Sequence, residues 1–382
     1  MMKRLRTLLP LFMIIRTVFN SAHRMIYAFL PILGRGLGVD IKSMSLALTA
    51  RATISSLGPF AASVADVRGR KFGMLLGLIL FTGGTALVVF FPTFPIFILS
   101  LIFATTGKYV FDPSMQAYLG DRIDYRQRGR ILAITEFGWS LAFILGMPLM
   151  GFVISRNGWM APFPLLVLMG SLMFGLLYCV LPREDHQPDP EATVFSNIRL
   201  VWLSVPALAG LSIGLWASAG NEVVNLIFGV WLEDAFALKI VALAGASAVI
   251  GFAELGGEGL VALFVDRLGK HRAVAIGLVA NSGSALLLPL LGRTTAGALV
   301  GLFLFYITFE FTLVSIIPMM TEVLPGARAT VMALNVAGES LGRAIGAPLA
   351  PLLYHYSFPV VAVGAVLFNV FALLALRRMV RH

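Results

Sequence analysis

The sequence predicts an all-α membrane protein of twelve transmembrane helices in two pseudo-symmetric six-helix bundles. Three observations carry this. The 382 residues are 58% hydrophobic and only 13% charged, with mean hydropathy +0.90, where a soluble domain carries about 25% charged residues. A short charged loop, Ala-Ser-Val-Ala-Asp-Val-Arg-Gly-Arg-Lys over 62–71, is followed 200 positions later by Asp-Arg-Leu-Gly-Lys-His-Arg over 266–272. Finally, the cations behind the net charge of +10 gather in short loops between apolar runs. That distribution argues against a nucleic-acid partner and for a bilayer.

The echo extends past the loop. Gly77, Gly83 and Arg128 return as Gly277, Gly283 and Arg328, and Gly138, Gly146 and Pro148 return as Gly338, Gly346 and Pro348. One constant offset over so many markers implies two homologous halves of the same sense, the parallel-repeat arrangement of many secondary transporters.

Helices are the default for each apolar run, because lipid tolerates no unpaired backbone. The spans fall at 8–33, 43–64, 72–91, 94–116, 131–155 and 160–181, then at 200–229, 238–264, 274–291, 295–320, 330–354 and 358–376. The polar stretch between the sixth and seventh spans holds Arg183, Glu184, Asp185, His186, Pro188 and Pro190 and reads as a flexible tether. The domains expected are 1–181 for the N-terminal bundle, 182–199 for a cytoplasmic linker and 200–382 for the C-terminal bundle.

Lys and Arg counts set the orientation. With the N-terminus in the cytoplasm, nineteen cations fall on that side and only Arg35, Lys42, Arg156, Lys239 and Arg293 on the other. Both termini are then cytoplasmic, and the expected location is the cytoplasmic (inner) membrane. Arg16 interrupts the first apolar region and no small-residue cleavage site follows it, so the first span is expected to be retained. The single Cys179 leaves no internal disulfide.

Ionisable residues inside spans are costly and mark functional candidates. They are Arg16, His23, Arg24, Arg51, Lys108, Asp112, Glu136, Glu222, Glu254, Glu258, Glu310, Glu339 and Arg343. Spans three, six, nine and twelve carry no charge, so the third helix of each triplet suits lipid and the others enclose a polar path. On span one, Arg16, Asn20 and Arg24 share a helical face, adjoined by His23 and Tyr27. Lys108 and Asp112, like Glu339 and Arg343, stand four apart and either neutralise each other or touch cargo. Asn221, Glu222 and Asn225 after Gly220 read either as a locally unwound substrate site or as a polar helix end.

Glu254 and Glu258 share a face with no cation between them, and Glu310 has no partner on its own helix. Two adjacent carboxylates in a low dielectric cannot both ionise cheaply. At least one should bind and release a proton, unless the acids form static pairs with Arg16, Arg24 or Arg51. The first half holds four buried cations against two acids, the second one cation against five. The expectation is that the first half grips a polar or anionic head and the second carries protons. Glu254, Glu258, Glu310, Glu136 and Glu339 are the candidate proton carriers.

These residues resemble the major facilitator superfamily over essentially the whole chain. Asp66, Arg68, Gly69, Arg70 and Lys71, with Asp266, Arg267, Gly269 and Lys270, are similar to the core of its Gly-x-x-x-Asp-Arg-x-Gly-Arg-Arg/Lys loop, although Ala62 and Ala262 replace the leading Gly. The resemblance implies that this loop latches the halves on the cytoplasmic side. It also implies a charge relay through Asp121 and Arg128, echoed by Glu322 and Arg328. Gly138, Gly146, Pro148 and Gly151 look like the antiporter helix of the twelve-span drug/proton branch, with Met147 splitting its Gly-Pro. Glu310 is similar to a span-ten acid of proton-coupled exporters.

The leading expectation is proton-coupled efflux of amphipathic small molecules or drugs by alternating access, with Arg16, Asn20, His23, Arg24, Tyr27, Lys108, Asp112, Asn221, Asn225 and Glu310 meeting the cargo. The alternative is a transporter of a lysolipid, lipid-like or anionic metabolite held by Arg16, Arg24 and Lys108. An enzyme is not expected, because the sequence has no His-x-x-x-His pair, Gly-x-Ser-x-Gly elbow or P-loop. No cofactor and no metal are expected, and the default assembly is a monomer.

Overall fold

The computed structural model describes residues 2–58, 68–120, 122, 135, 137–182, 198–324 and 327–381. Among them there are helices and no strand. In order they are α1 (Met2–Ala28), α2 (Leu30–Leu37), α3 (Ile41–Ser55), α4 (Arg70–Phe90), α5 (Phe94–Gly120), α6 (Met147–Asn157) and α7 (Pro162–Val180). Then come α8 (Ile198–Leu203), α9 (Val205–Phe236), α10 (Ile240–Leu268), α11 (Lys270–Leu291), α12 (Thr295–Val323), α13 (Arg328–Tyr356) and α14 (Phe358–Arg381). Among the described residues, nine helices are long and apolar enough to cross a membrane. The other three expected spans coincide with helices α1, α3 and α13; α1 carries Arg16 and Arg24 and α13 carries Glu339 and Arg343, while α3, with Arg51, is only 15 residues long.

Four boundaries depart from expectation, each for a local reason. The first span is two helices, because the chain breaks at Phe29 (φ −111°, ψ 21°) just before Pro31. Pro31 has no amide to donate and its ring crowds the preceding turn. Span five is not a regular helix, since a π-helical turn over Ala142–Gly146 precedes α6. Pro148 there removes an amide from the ladder, and π-turns of this kind often sit at functional sites. Span seven starts at Val205, not at 200. Ser204 caps it, accepting from the Ala207 amide at 3.3 Å, and it continues to Phe236. The cations Lys270 and Arg272 lie inside α11, not in the loop before it.

Asp40 caps α3, accepting the Ser43 amide at 2.9 Å. The backbone and side-chain hydrogen bonds of Ser43 hold the Asp40 carboxyl below the usual carboxylate range. The cap is therefore complete above that range and fades as the pH falls through the lowered value.

The repeat is visible in the backbone. Gly69 opens α4 at φ 96° and ψ 153°, and Gly269 opens α11 at φ 82° and ψ 137°. Side-chain-bearing residues avoid this region, at a cost of about 1–3 kcal/mol. Gly69→Ala and Gly269→Ala should each destabilise the purified protein by about that amount, read as a lower melting temperature. Gly83→Ala is the control. An added Cβ there meets nothing within 4 Å, so the melting temperature should hold or rise.

Packing is dense among α4, α5 and α7, and among α9, α11, α12, α13 and α14. Further contacts join α3 to α13, α6 to α10, and α1 and α2 to α9. The pattern of exposure is that of a protein dissolved in lipid. Leu168, Leu172 and Leu176 on α7 are more than half exposed, while Arg16, Arg51, Glu222 and Asn369 are buried.

Candidate functional site

The site is built on α1. Helical spacing aligns Arg16, Asn20 and Arg24, and all three are buried. Arg24 crosses to α10 and grips Glu254 with both arms of its fork, Nη1 to Oε1 at 3.0 Å and Nη2 to Oε2 at 2.8 Å. The two residues are 6% and 4% exposed. The guanidinium lies 3.8 Å from the ring centre of Trp139 and 3.7 Å from that of Phe143. A bidentate pair between two rings is geometrically demanding, and Lys could not reproduce it. Of the cross-helix partners considered for these acids, Arg24 is the one that meets Glu254, from 230 positions earlier.

A second chain of polar groups runs beside the first. Arg51 on α3 donates to the Tyr27 hydroxyl at 2.5 Å and to the His23 carbonyl at 3.2 Å. Tyr27 donates to Glu222 Oε1 at 2.9 Å, and Asn225 donates to Glu222 Oε2 at 3.4 Å. Tyr306 on α12 closes the chain by donating to Asn225 Oδ1 at 2.8 Å. Four helices, α1, α3, α9 and α12, are tied together. The locally unwound reading of Asn221, Glu222 and Asn225 is overturned, because α9 runs unbroken through all three. The helix-end reading fails too, since all three lie within α9 and Asn221 and Glu222 are buried.

Within α1 and α5, Lys108 donates to Asp112 Oδ2 at 2.6 Å, and Arg16 Nε lies 3.4 Å from Asp112 Oδ1. Asp112 thus bridges two cations. The buried amide of Asn20 has no hydrogen-bond partner among the described residues. A cavity bounded by His23, Arg51, Thr105 and Lys108 holds about 20 Å³, roughly room for one water. A cargo needs these helices to part.

Glu310 on α12 stands apart. It is 7% exposed, and its carboxylate has no hydrogen-bond or ion-pair partner among the described residues. Its stem packs at Gly257, where a Cβ would stand 2.7 Å from that of Glu310. The charges of Glu254, Glu258, Arg24 and Glu339 act on it. Glu339 accepts from Asn335 at 2.7 Å, and Glu258 is half-buried. Glu136, Asp66, Asp121 and the side chain of Arg128 lie outside the described residues, as does the side chain of Arg328.

The antiporter-like glycines sit at close contacts. A Cβ on Gly138 would stand 2.8 Å from that of Arg16, and one on Gly151 would stand 2.6 Å from that of Ala244. Gly146 abuts Ser21 on α1. At the ends of α2 and α9, Arg35 meets Glu233 at 2.7 Å. Nearby, Gly229 lies under the Tyr27 and Ala28 carbonyls, which a Cβ would meet at 2.8 and 2.9 Å. At the opposite end, Lys71 donates to the carbonyls of Tyr178 and Leu181, at 3.0 and 2.5 Å, capping α7. Lys270 pairs with Glu322, so Glu322 has a partner in the first turn of α11. Arg68, Asp266 and Arg267 are exposed, and Arg70 is half-buried. Pro148 sits in the first turn of α6.

Sequence reasoning missed Trp139, Phe143 and Tyr306 as site residues. The signal for the first two was an aromatic pair at i, i+4 beginning next to Gly138.

The sequence profile of the Major Facilitator Superfamily matches residues 12–324. The uncharacterized MFS-type transporter YwfA of Bacillus subtilis (strain 168) is 23% identical over 357 residues, which cover 90% of this chain and 84% of that protein. The chain also superposes on a bacterial homolog of the human lysosomal transporter Spinster in an inward-facing, unoccupied conformation. There the TM-score is 0.78 at 14% identity, covering 99% of this chain and 98% of the other. A D-xylose-proton symporter gives a TM-score of 0.77 at 14% identity, covering 96% of each. At these identities the structural likeness shows the shared fold.

Proposed function

From the premise that the chain belongs to the Major Facilitator Superfamily and is a membrane transporter, we propose proton-coupled efflux of amphipathic small molecules by alternating access. The observation that carries this reading is Glu310, a buried acid with no hydrogen-bond or ion-pair partner among the described residues, beside the Arg24–Glu254 pair. With a proton on Glu310, the cluster of Glu254, Glu310 and Arg24 is balanced. Without it, one negative charge is left over in a low dielectric. A cargo with a cationic head supplies the missing charge. Proton and cargo then exclude one another, which is the condition for exchange. The rings of Trp139 and Phe143 against the Arg24 guanidinium supply aromatic surface beside the same pair.

In this reading 1–181 and 200–382 are the two rocking bundles, 182–199 tethers them, and both termini face the cytoplasm. Arg35–Glu233 and the Gly229 contact then lie at the outer end, and the Lys71 and Lys270 latches at the inner end. The working unit is a monomer in the cytoplasmic membrane.

A second reading has its own observation. The Arg24 fork, held flat between two rings, suits a carboxylate or phosphate whenever Glu254 releases it. Protonation of Glu254 would then favour binding of an anionic, lipid-like cargo, and both would move together. The two readings differ in the sign of proton movement. Proteoliposomes holding a pH dye should be given a cationic amphipathic dye or an anionic lysolipid. Exchange predicts that dye moving in drives protons out, while the lysolipid moves none. Protons entering with the lysolipid would favour the second reading, and no proton movement with either would refute both.

A further inference from the structure

A groove lies on the outside of the bundle, between the start of α9 and the end of α14. It is separate from the ion pairs between the halves. Leu208, Ser212 and Trp216 form one wall at i, i+4, i+8 spacing, and Phe371, Leu374 and Arg378 form the other. The groove encloses about 500 Å³, within the ~300–1,000 Å³ of small-ligand sites. Its two ends differ. At the deep end, Trp216 stacks on Phe368 (centroids 5.9 Å apart, planes at 17°) and tilts over Phe371 at 5.3 Å. At the mouth, Arg378 is exposed, flanked by exposed Arg377 and Arg381 on the last turn of α14. From Leu208 to Trp216 the wall rises about 12 Å. The short helix α8 adds an exposed Arg199 and exposed Trp202 and Leu203 just before α9, the amphipathic pattern of a membrane–water interface.

A slot apolar at its inner end and cationic at its mouth, open sideways to lipid, fits one kind of occupant. We propose that this groove binds an anionic phospholipid of the leaflet at the chain's arginine-rich end. One acyl chain lies along α9 and α14 as far as Trp216, and the phosphate meets Arg378. Basic pockets between transmembrane helices recognise anionic head groups in this way, at about fivefold in affinity per cation. A zwitterionic lipid fills the apolar part equally well, so preference between lipids resides in the mouth. The occupant is a bilayer lipid and not cargo, because the groove opens away from the contacts between halves.

The test uses the tryptophan in the groove as reporter. The full chain is placed in nanodiscs of phosphatidylcholine containing phosphatidylglycerol or phosphatidylcholine with brominated acyl chains, and tryptophan quenching is titrated. The Trp216→Phe variant isolates the contribution of Trp216. Brominated phosphatidylglycerol should quench Trp216 at about fivefold lower mole fraction than the brominated neutral lipid. In Arg378→Gln the two titrations should converge, with an unchanged melting temperature. Equal quenching by both lipids in the wild type, no quenching of Trp216 by either, or a preference that persists in Arg378→Gln would each overturn the proposal.

Discussion

Arg24→Ala should abolish transport and lower stability by about 3–5 kcal/mol, the usual cost of leaving one member of a buried ion pair alone. In this chain the abandoned partner is Glu254, which is 4% exposed. The substitution also empties the space between Trp139 and Phe143, losing a desolvated cation–π contact of about 2 kcal/mol. Arg24→Lys keeps the charge and loses the fork, so it should recover part of the stability and little of the transport. The informative variant removes both charges. Arg24→Met with Glu254→Leu fills the site with apolar volume and should match or exceed the wild-type melting temperature, since such replacements are commonly neutral or stabilising. Transport should stay absent. Stability and activity then separate, as they must if the pair exists for its work and not for the fold. A double variant that transports normally would reduce the pair to a structural strut.

Glu310→Gln should leave the fold intact and hold the cluster in its balanced state, which takes no cationic cargo. The side chain keeps its shape at Gly257 and loses only the ability to ionise. In proteoliposomes, movement driven by a pH gradient should fall by about tenfold to a hundredfold, the usual range of a coupling free energy. Exchange of labelled for unlabelled cargo should fall as well, because the neutral Gln imitates the protonated acid and leaves no unbalanced charge for a cationic head. Glu258→Gln should act more weakly, because Glu258 is only half-buried. Undiminished gradient-driven movement in Glu310→Gln would remove this residue from the coupling.

Much of the fold was legible because period and repeat are local properties. The 200-residue offset pointed to Gly69 and Gly269, and both open a helix at a φ that glycine tolerates best. Buried ions at helical spacing identified α1, α10 and α12 as the helices that matter. Who meets whom across helices was not legible. Periodicity sets the face on which Arg24 lies and offered it, with Arg16 and Arg51, as a partner for the second-half acids, but did not single out Glu254, 230 residues on. Nor did it link Arg51, Tyr27, Glu222, Asn225 and Tyr306, contributed by four helices. The break at Phe29 was hidden for a different reason. Pro31 accompanies it, yet Pro10, Pro113, Pro318 and Pro351 lie within continuous helices, so proline alone does not locate a break. The π-turn before Pro148 sits where Met147 splits the expected Gly-Pro, and an irregular motif met an irregular backbone.

The proposed exchange rests on one buried acid trading its proton for cargo, and proton release on binding measures that directly. A transported cationic amphipath is added to purified protein in weak buffer near neutral pH, and protons released per chain are counted in wild type and in Glu310→Gln. The wild type should release protons as cargo binds, and the variant, fixed in the neutral state, should bind cargo about tenfold or more weakly and release none. Equal release from both proteins, or proton uptake by the wild type, would contradict it.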